Sequence, residues 1–176
     1  MVFRYHVYQL GCSGAGQGIA AAPEQDMAVT DRISIRNAVP ADLEVVIALD
    51  EISSREEKAG YWRDIFDRYV KVGKEDRFFL VAETEGRMVG FIIGEVRAWE
   101  FGSPPCGWVF ALAVSPGARE LGIGQRMLEE ICLRLKQTGV STVRTMVDRD
   151  NKITLSFFRS QGLRTGKYIE LEKQLD

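Results

Sequence analysis

The stretch Leu112-Ala113-Val114-Ser115-Pro116-Gly117-Ala118-Arg119-Glu120-Leu121-Gly122-Ile123-Gly124 decides the fold. An apolar run over 108–114 reads as a strand, Pro116 and Gly117 break it, and a helical pattern follows. That pattern puts Met127, Leu128, Ile131, Cys132 and Leu135 on one face. A strand, a glycine-bearing loop over 117–124 and a helix start therefore meet at one point. Such a junction aims unpaired backbone N–H groups and the positive end of a helix dipole at the same place. Gly122 and Gly124 lack Cβ atoms, so a ligand can approach the backbone closely. Arg119 adds a fixed positive charge. This is chemistry suited to a pyrophosphate, although glycines at a helix entry can also serve the turn alone.

On the N-terminal side, 78–83 and 88–96 are apolar runs around Glu85-Gly86, a hairpin signal. Earlier still, Ile33 and Ile35 alternate with polar residues as in a strand. Pro40 suits a first helical position, and Leu43, Val46, Ile47 and Asp50 follow helical spacing. Ser54 and Glu57 match a capping box. The helix they would start carries Tyr61, Trp62, Ile65, Phe66, Tyr69 and Val70, and Gly73 ends it. That aromatic stripe reads as core, with one end able to line a cleft.

On the C-terminal side, 142–147 reads as a strand and 151–161 as an amphipathic helix closed by Gly162. A last strand is expected over 168–174, with Tyr168, Glu170 and Glu172 on one side and Ile169, Leu171 and Lys173 on the other. The expected order from Ile33 is β-α-α-β-β-β-α-β-α-β. It makes one α/β domain over 32–176, with a mixed central sheet and flanking helices. Residues 1–31 are rich in Gly and Ala and read as a flexible leader, within which Met27 offers an alternative first residue.

Composition narrows the function. The 176 residues carry a net charge of −2, which gives no electrostatic reason to expect nucleic acid or an anionic membrane as partner. No apolar run approaches the ~20 residues of a membrane helix, and no signal-peptide core follows the N-terminus. Cys12, Cys106 and Cys132 fit neither a zinc spacing nor a disulfide framework. Reduced thiols and a cytoplasmic location are the expectation, with no metal. The single histidine, His6, lies in the leader, which argues against Ser-His-Asp or Cys-His hydrolysis.

With these residues in view, the segment resembles the acetyl-CoA motif of the GNAT (Gcn5-related N-acetyltransferase) superfamily, Q/R-x-x-G-x-G/A after a strand ending in V-x-P. Arg119, Gly122 and Gly124 match it. Asn151, Phe157, Phe158, Gly162 and Leu163 resemble the family's second motif, N-x-x-A-x-x-F-Y-x-x-x-G-F, and the element order agrees over 32–176. The resemblance implies an N-acetyltransferase that passes acetyl from acetyl-CoA to a primary amine, on a protein or a small molecule, by direct transfer in a ternary complex. It implies that Leu112 and Val114 pair with the pantetheine arm through their backbones, and that the Leu112 N–H serves the oxyanion. Arg119, Glu120, Leu121, Gly122, Ile123 and Gly124 would hold the pyrophosphate. Asn151 would hydrogen-bond the pantetheine arm, besides capping the helix it begins.

Two departures matter. Phe158 stands where many members carry a tyrosine that protonates the departing thiolate, and Trp108 stands where histone-type members keep a glutamate base. The nearest carboxylates are Glu95 and Glu100. Glu95 follows Phe91 and Ile93 at period two, so it shares their face if the register holds. It serves as the base in this reading, against the alternative of an exposed strand-end charge. A non-catalytic acyl-CoA-sensing module that binds a protein partner is the alternative function. The short stretch 163–167 leaves little room for a strand before the last one, so a second copy could complete the sheet edge as a homodimer.

Overall fold

The protein is described by a computed structural model covering residues 33–54 and 56–175. The leader expected at 1–31 lies outside the described residues. Five strands form one sheet in the order β1-β2-β3-β4-β5. They are β1 (Ile33–Asn37), β2 (Arg77–Thr84), β3 (Arg87–Arg97), β4 (Cys106–Val114) and β5 (Val143–Arg144). The first four pair antiparallel, and β5 lies parallel to β4. Helices α1 (Leu43–Ser54) and α2 (Ala59–Phe66) follow β1, α3 (Ile123–Gln137) follows β4, and α4 (Lys152–Ser160) follows β5. Glu85 and Gly86 both adopt positive φ, as a tight two-residue hairpin turn requires.

Period-two alternation divides the core between the two sheet faces. Leu80, Ala82, Ile92, Val109 and Leu112 meet α3 and α4 through Ile123, Met127, Ile131, Leu135 and Phe158. Phe79, Val81, Phe91, Ile93 and Ala113 meet α1 and α2 through Val46, Leu49, Trp62, Ile65 and Phe66. The aromatic stripe is thus mostly core, and it runs on into a π-helical turn, Asp67–Lys71, that carries Tyr69.

Helix α3 lies close on the sheet because glycines receive it. A Cβ on Gly90 would stand 3.0 Å from Met127 Cε, one on Gly94 2.9 Å from Ile131 Cδ1, and one on Gly107 2.7 Å from Leu135 Cδ1. Met127, Ile131 and Leu135 recur every four residues, so one helix ridge sits over three glycines. At Gly94 the same Cβ would also stand 2.9 Å from the Trp108 carbonyl oxygen, which cannot rotate away. Gly94→Ala is therefore expected to cost about 1–3 kcal/mol through overpacking. That lowers Tm by several degrees, at about 2–4 °C per kcal/mol for a domain of this size. A thermal melt checks it.

Three local expectations are corrected. Residues 168–174 form no strand. With only Val143 and Arg144 paired, β5 offers too short an edge to satisfy another strand's N–H and C=O groups, and the sheet has five strands among the described residues. Ser54 and Glu57 do not cap a helix start. Ser54 instead ends α1, its Oγ accepting from the Glu56 N–H (3.2 Å) and donating to Asp50 Oδ2 (3.4 Å), while α2 begins after Lys58. The strand read at 142–147 is confined to two residues.

Candidate active site

The short β5 shapes the site. It pairs with β4 only at Gly107–Val143 and Trp108–Arg144. Past that point the two chain segments part, and among the described residues the β4 edge is open. Ser115 donates its N–H to the Val89 carbonyl (2.8 Å), toward β3. Alternation then turns the Ala113 and Ala111 N–H groups toward β3, and those of Leu112 and Val114 toward the open edge. An extra residue, Phe110, interrupts the ladder between Ile93–Ala111 and Gly94–Val109. This bulge re-aims the strand at the place where the edge opens.

The open edge leads into a cleft of ≈ 240 Å³ lined by Leu112, Val114, Arg119, Gly122, Gly124 and Phe157, among others. Gly122 takes φ +69 as the N-cap of α3, a left-handed conformation that glycine adopts without strain. The first-turn N–H groups of α3 have no intrahelical acceptor, and they face this end of the cleft with the positive end of the helix dipole. Arg119 Nε approaches the Val114 carbonyl at 3.5 Å. A Cβ on Gly124 would stand 3.5 Å from the Phe157 ring and 3.8 Å from Val114 Cγ2, so it would occupy the cleft.

On the opposite sheet face, Glu95 lies across from Trp108. Its Oε2 accepts from the Tyr69 hydroxyl at 2.5 Å, and its Oε1 accepts from Arg97 Nε at 2.9 Å. Arg77 Nε stands 3.9 Å away. The Glu95 side chain is 19% exposed, which leaves it reachable by water. Burial, together with the hydrogen bond to Glu95, pushes the Tyr69 hydroxyl well above the usual tyrosine range, so it stays protonated. The Tyr69 ring also meets Phe110 at the bulge, 5.6 Å between centroids.

The residues expected from the sequence therefore divide. Leu112, Val114, Arg119, Glu120, Gly122 and Gly124 converge on the cleft. Ile123 is fully buried beneath it, and Leu121 packs on the same core. Asn151 caps α4, its Oδ1 accepting from the Thr154 N–H at 3.0 Å. Phe158 is 3% exposed and belongs to the core, while its neighbour Phe157 lines the cleft. Glu95 shares the face of Phe91 and Ile93, on the far side of the sheet from α3. Sequence reasoning missed Thr154 and Gln161, which join Phe157 along one side of α4 at spacings of three and four. That spacing was the available signal.

Comparison with known proteins gives the family and the fold. Residues 44–163 match the model of the Acetyltransferase (GNAT) family. The chain is 32% identical over 97 residues to L-2,4-diaminobutyric acid acetyltransferase of Nocardia farcinica, covering 55% of this chain and 49% of that protein. It is 31% identical over 144 residues to mycothiol acetyltransferase of Frankia alni, covering 76% of this chain and 43% of that one. It thus spans about half or less of the curated relatives' length. Among solved structures, aminoglycoside 6'-N-acetyltransferase AAC(6')-Ih from Acinetobacter baumannii superposes with a TM-score of 0.69 at 15% identity, covering 82% of this chain and 99% of that chain. AAC(6')-Iy in complex with a bisubstrate analogue reaches 0.71 at 14% identity, with the same two coverages. At these identities the likeness is one of fold.

Proposed function

Because the chain belongs to the acetyltransferase (GNAT) family, we propose that it binds acetyl-CoA and transfers the acetyl group to a primary amine within a ternary complex. The observation that carries this reading is the open β4 edge running into the Gly122–Gly124 cleft. Strand-edge N–H groups suit an amide-bearing arm laid alongside them as an added strand. A helix N-terminus beside Arg119 suits a pyrophosphate, and a side chain at Gly124 would fill that place. The residues therefore fit the cosubstrate.

In this assignment Leu112 and Val114 bind the pantetheine arm, and 119–124 hold the pyrophosphate. Asn151 adds a hydrogen bond to the arm besides its cap, and Phe158 supports the cleft wall through its ring contact with Phe157, 5.1 Å between centroids. When bound, acetyl-CoA supplies a thioester whose C–S bond breaks as the amine nitrogen forms its C–N bond. The Leu112 N–H stabilises the carbonyl oxygen as charge develops there. Glu95 takes the ammonium proton through water, and the second nitrogen proton, lost as the amide forms, passes to solvent. A base is required because an alkyl ammonium has a pKa of ~10.4 and only the neutral amine attacks. Phe158 has no proton to give, so the thiolate leaves unassisted, which a thiol pKa of ~8.5 tolerates near neutral pH.

A panel of primary amines, scored by coenzyme A thiol release, tests the reading. Release is expected only when both acetyl-CoA and a suitable amine are present. Binding of acetyl-CoA without release for any amine would turn the assignment to a non-catalytic acyl-CoA sensor.

A further inference from the structure

One row of side chains crosses four strands on the sheet face that carries Glu95. The register aligns Arg77 on β2 with Glu95 on β3, Glu95 with Trp108 on β4, and Trp108 with Arg144 on β5. Arg97, two residues beyond Glu95, shares the face and stacks its guanidinium 4.6 Å from the Trp108 ring centroid. Three guanidinium groups and one carboxylate thus lie along the row. Arg97 and Arg77 both approach Glu95. Arg144 meets no carboxylate among the described residues. It donates to Ser103 Oγ at 3.1 Å and lies 4.8 Å from the Tyr168 ring centroid. All three arginines are only partly exposed, a setting in which a guanidinium favours an anionic partner. The Trp108 Nε1–H is buried and has no acceptor among the described residues.

We propose that this row is the acceptor's anchoring site, and that the acceptor is an amine bearing a carboxylate, of the amino-acid class, rather than a polycation. The inference rests on the acetyl-transfer reading above and names its second substrate. The surplus of guanidinium groups over carboxylates supplies charge-assisted donors for a planar carboxylate. The same groups repel an acceptor with several ammonium groups. Trp108 and Leu112 lie four residues apart on β4, about 13 Å along an extended strand and less across the bulge. The amine must therefore stand several bonds from the carboxylate to reach the Leu112 end while the carboxylate meets Arg144.

Lysine against cadaverine, and ornithine against putrescine, differ only by the α-carboxylate. Coenzyme A release with the full chain is expected to favour each acid over its decarboxylated partner by roughly 10- to 100-fold in kcat/KM. Arg144→Gln should bring both ratios toward one while leaving acetyl-CoA affinity unchanged, and Arg144→Lys should keep part of the preference. A general structural defect would lower both members of a pair together. Equal or faster turnover of cadaverine and putrescine would overturn the proposal. If no amine is acetylated, the transfer reading fails, and calorimetry with lysine and ornithine on the acetyl-CoA-bound protein tests the site alone. Binding that Arg144→Gln abolishes upholds the anionic site, and no binding rejects it.

Discussion

Replacing Gly124 by glutamate is expected to lower acetyl-CoA affinity by roughly 100-fold or more while leaving a folded protein, which corresponds to about 3 kcal/mol of lost binding. The fold should survive because the nearest atoms to the new Cβ, on the Phe157 ring and Val114 Cγ2, stand at ordinary contact distances. Replacing a glycine inside α3 also favours the helix, and a carboxylate in its first turn agrees with the helix dipole. Binding should fail for the same geometric reason. The side chain projects into the cleft, and its charge sits where the pyrophosphate charge is assigned. Gly124→Ala, which adds only a methyl group, should cost much less. Calorimetric titration with acetyl-CoA, beside a thermal melt, reads both quantities. Unchanged affinity in Gly124→Glu would remove the cleft from the binding site.

Glu95→Gln should lower kcat/KM by about 100-fold or more near neutral pH, in the range typical for loss of a positioned base. Glutamine keeps the size, and its one amide oxygen can still accept from either Tyr69 or Arg97, which hold the two carboxylate oxygens of Glu95. Acetyl-CoA affinity should change little, because Glu95 lies on the sheet face opposite α3. The defect should shrink as pH rises toward the amine's own pKa of ~10.4, where more acceptor arrives already neutral. A melt controls for the negative charge withdrawn from between Arg77 and Arg97. Wild-type rates from about pH 6 to 9 would remove Glu95 from proton transfer and favour direct capture of the neutral amine.

Much of this architecture was legible because its signals are local. The strand–loop–helix junction at 112–124 announced itself through proline, glycine and helical periodicity, and the structure forms a cleft there. The face of Glu95 followed from its period-two relation to Phe91 and Ile93, and the bulge at Phe110 did not disturb it because the extra residue lies on β4. What stayed hidden depends on partners distant in sequence. The alternation over 168–174 suits a strand, but β5, whose Arg144 meets Tyr168, offers an edge of only two residues. Ser54 and Glu57 have the spacing of a capping box, yet Asp50 engages the Ser54 hydroxyl at the end of the preceding helix. The arginine row could not be seen, because it takes residues 77, 97 and 144 from three strands and exists only through their register. The role of Gly90, Gly94 and Gly107 is set by a helix more than fifteen residues away in sequence.

Acetyl transfer is measured most directly by following the acetyl group itself. The protein is incubated with acetyl-CoA carrying an isotopic label in the acetyl carbons and with the amine acceptors named above, and both products are quantified by mass spectrometry. Label is expected on the amine nitrogen in an amount equal to the coenzyme A released, with both strongly reduced in Gly124→Glu at acetyl-CoA concentrations that saturate the unaltered protein. Acetyl-CoA that binds with measurable affinity yet leaves every amine unlabelled would contradict acetyl transfer.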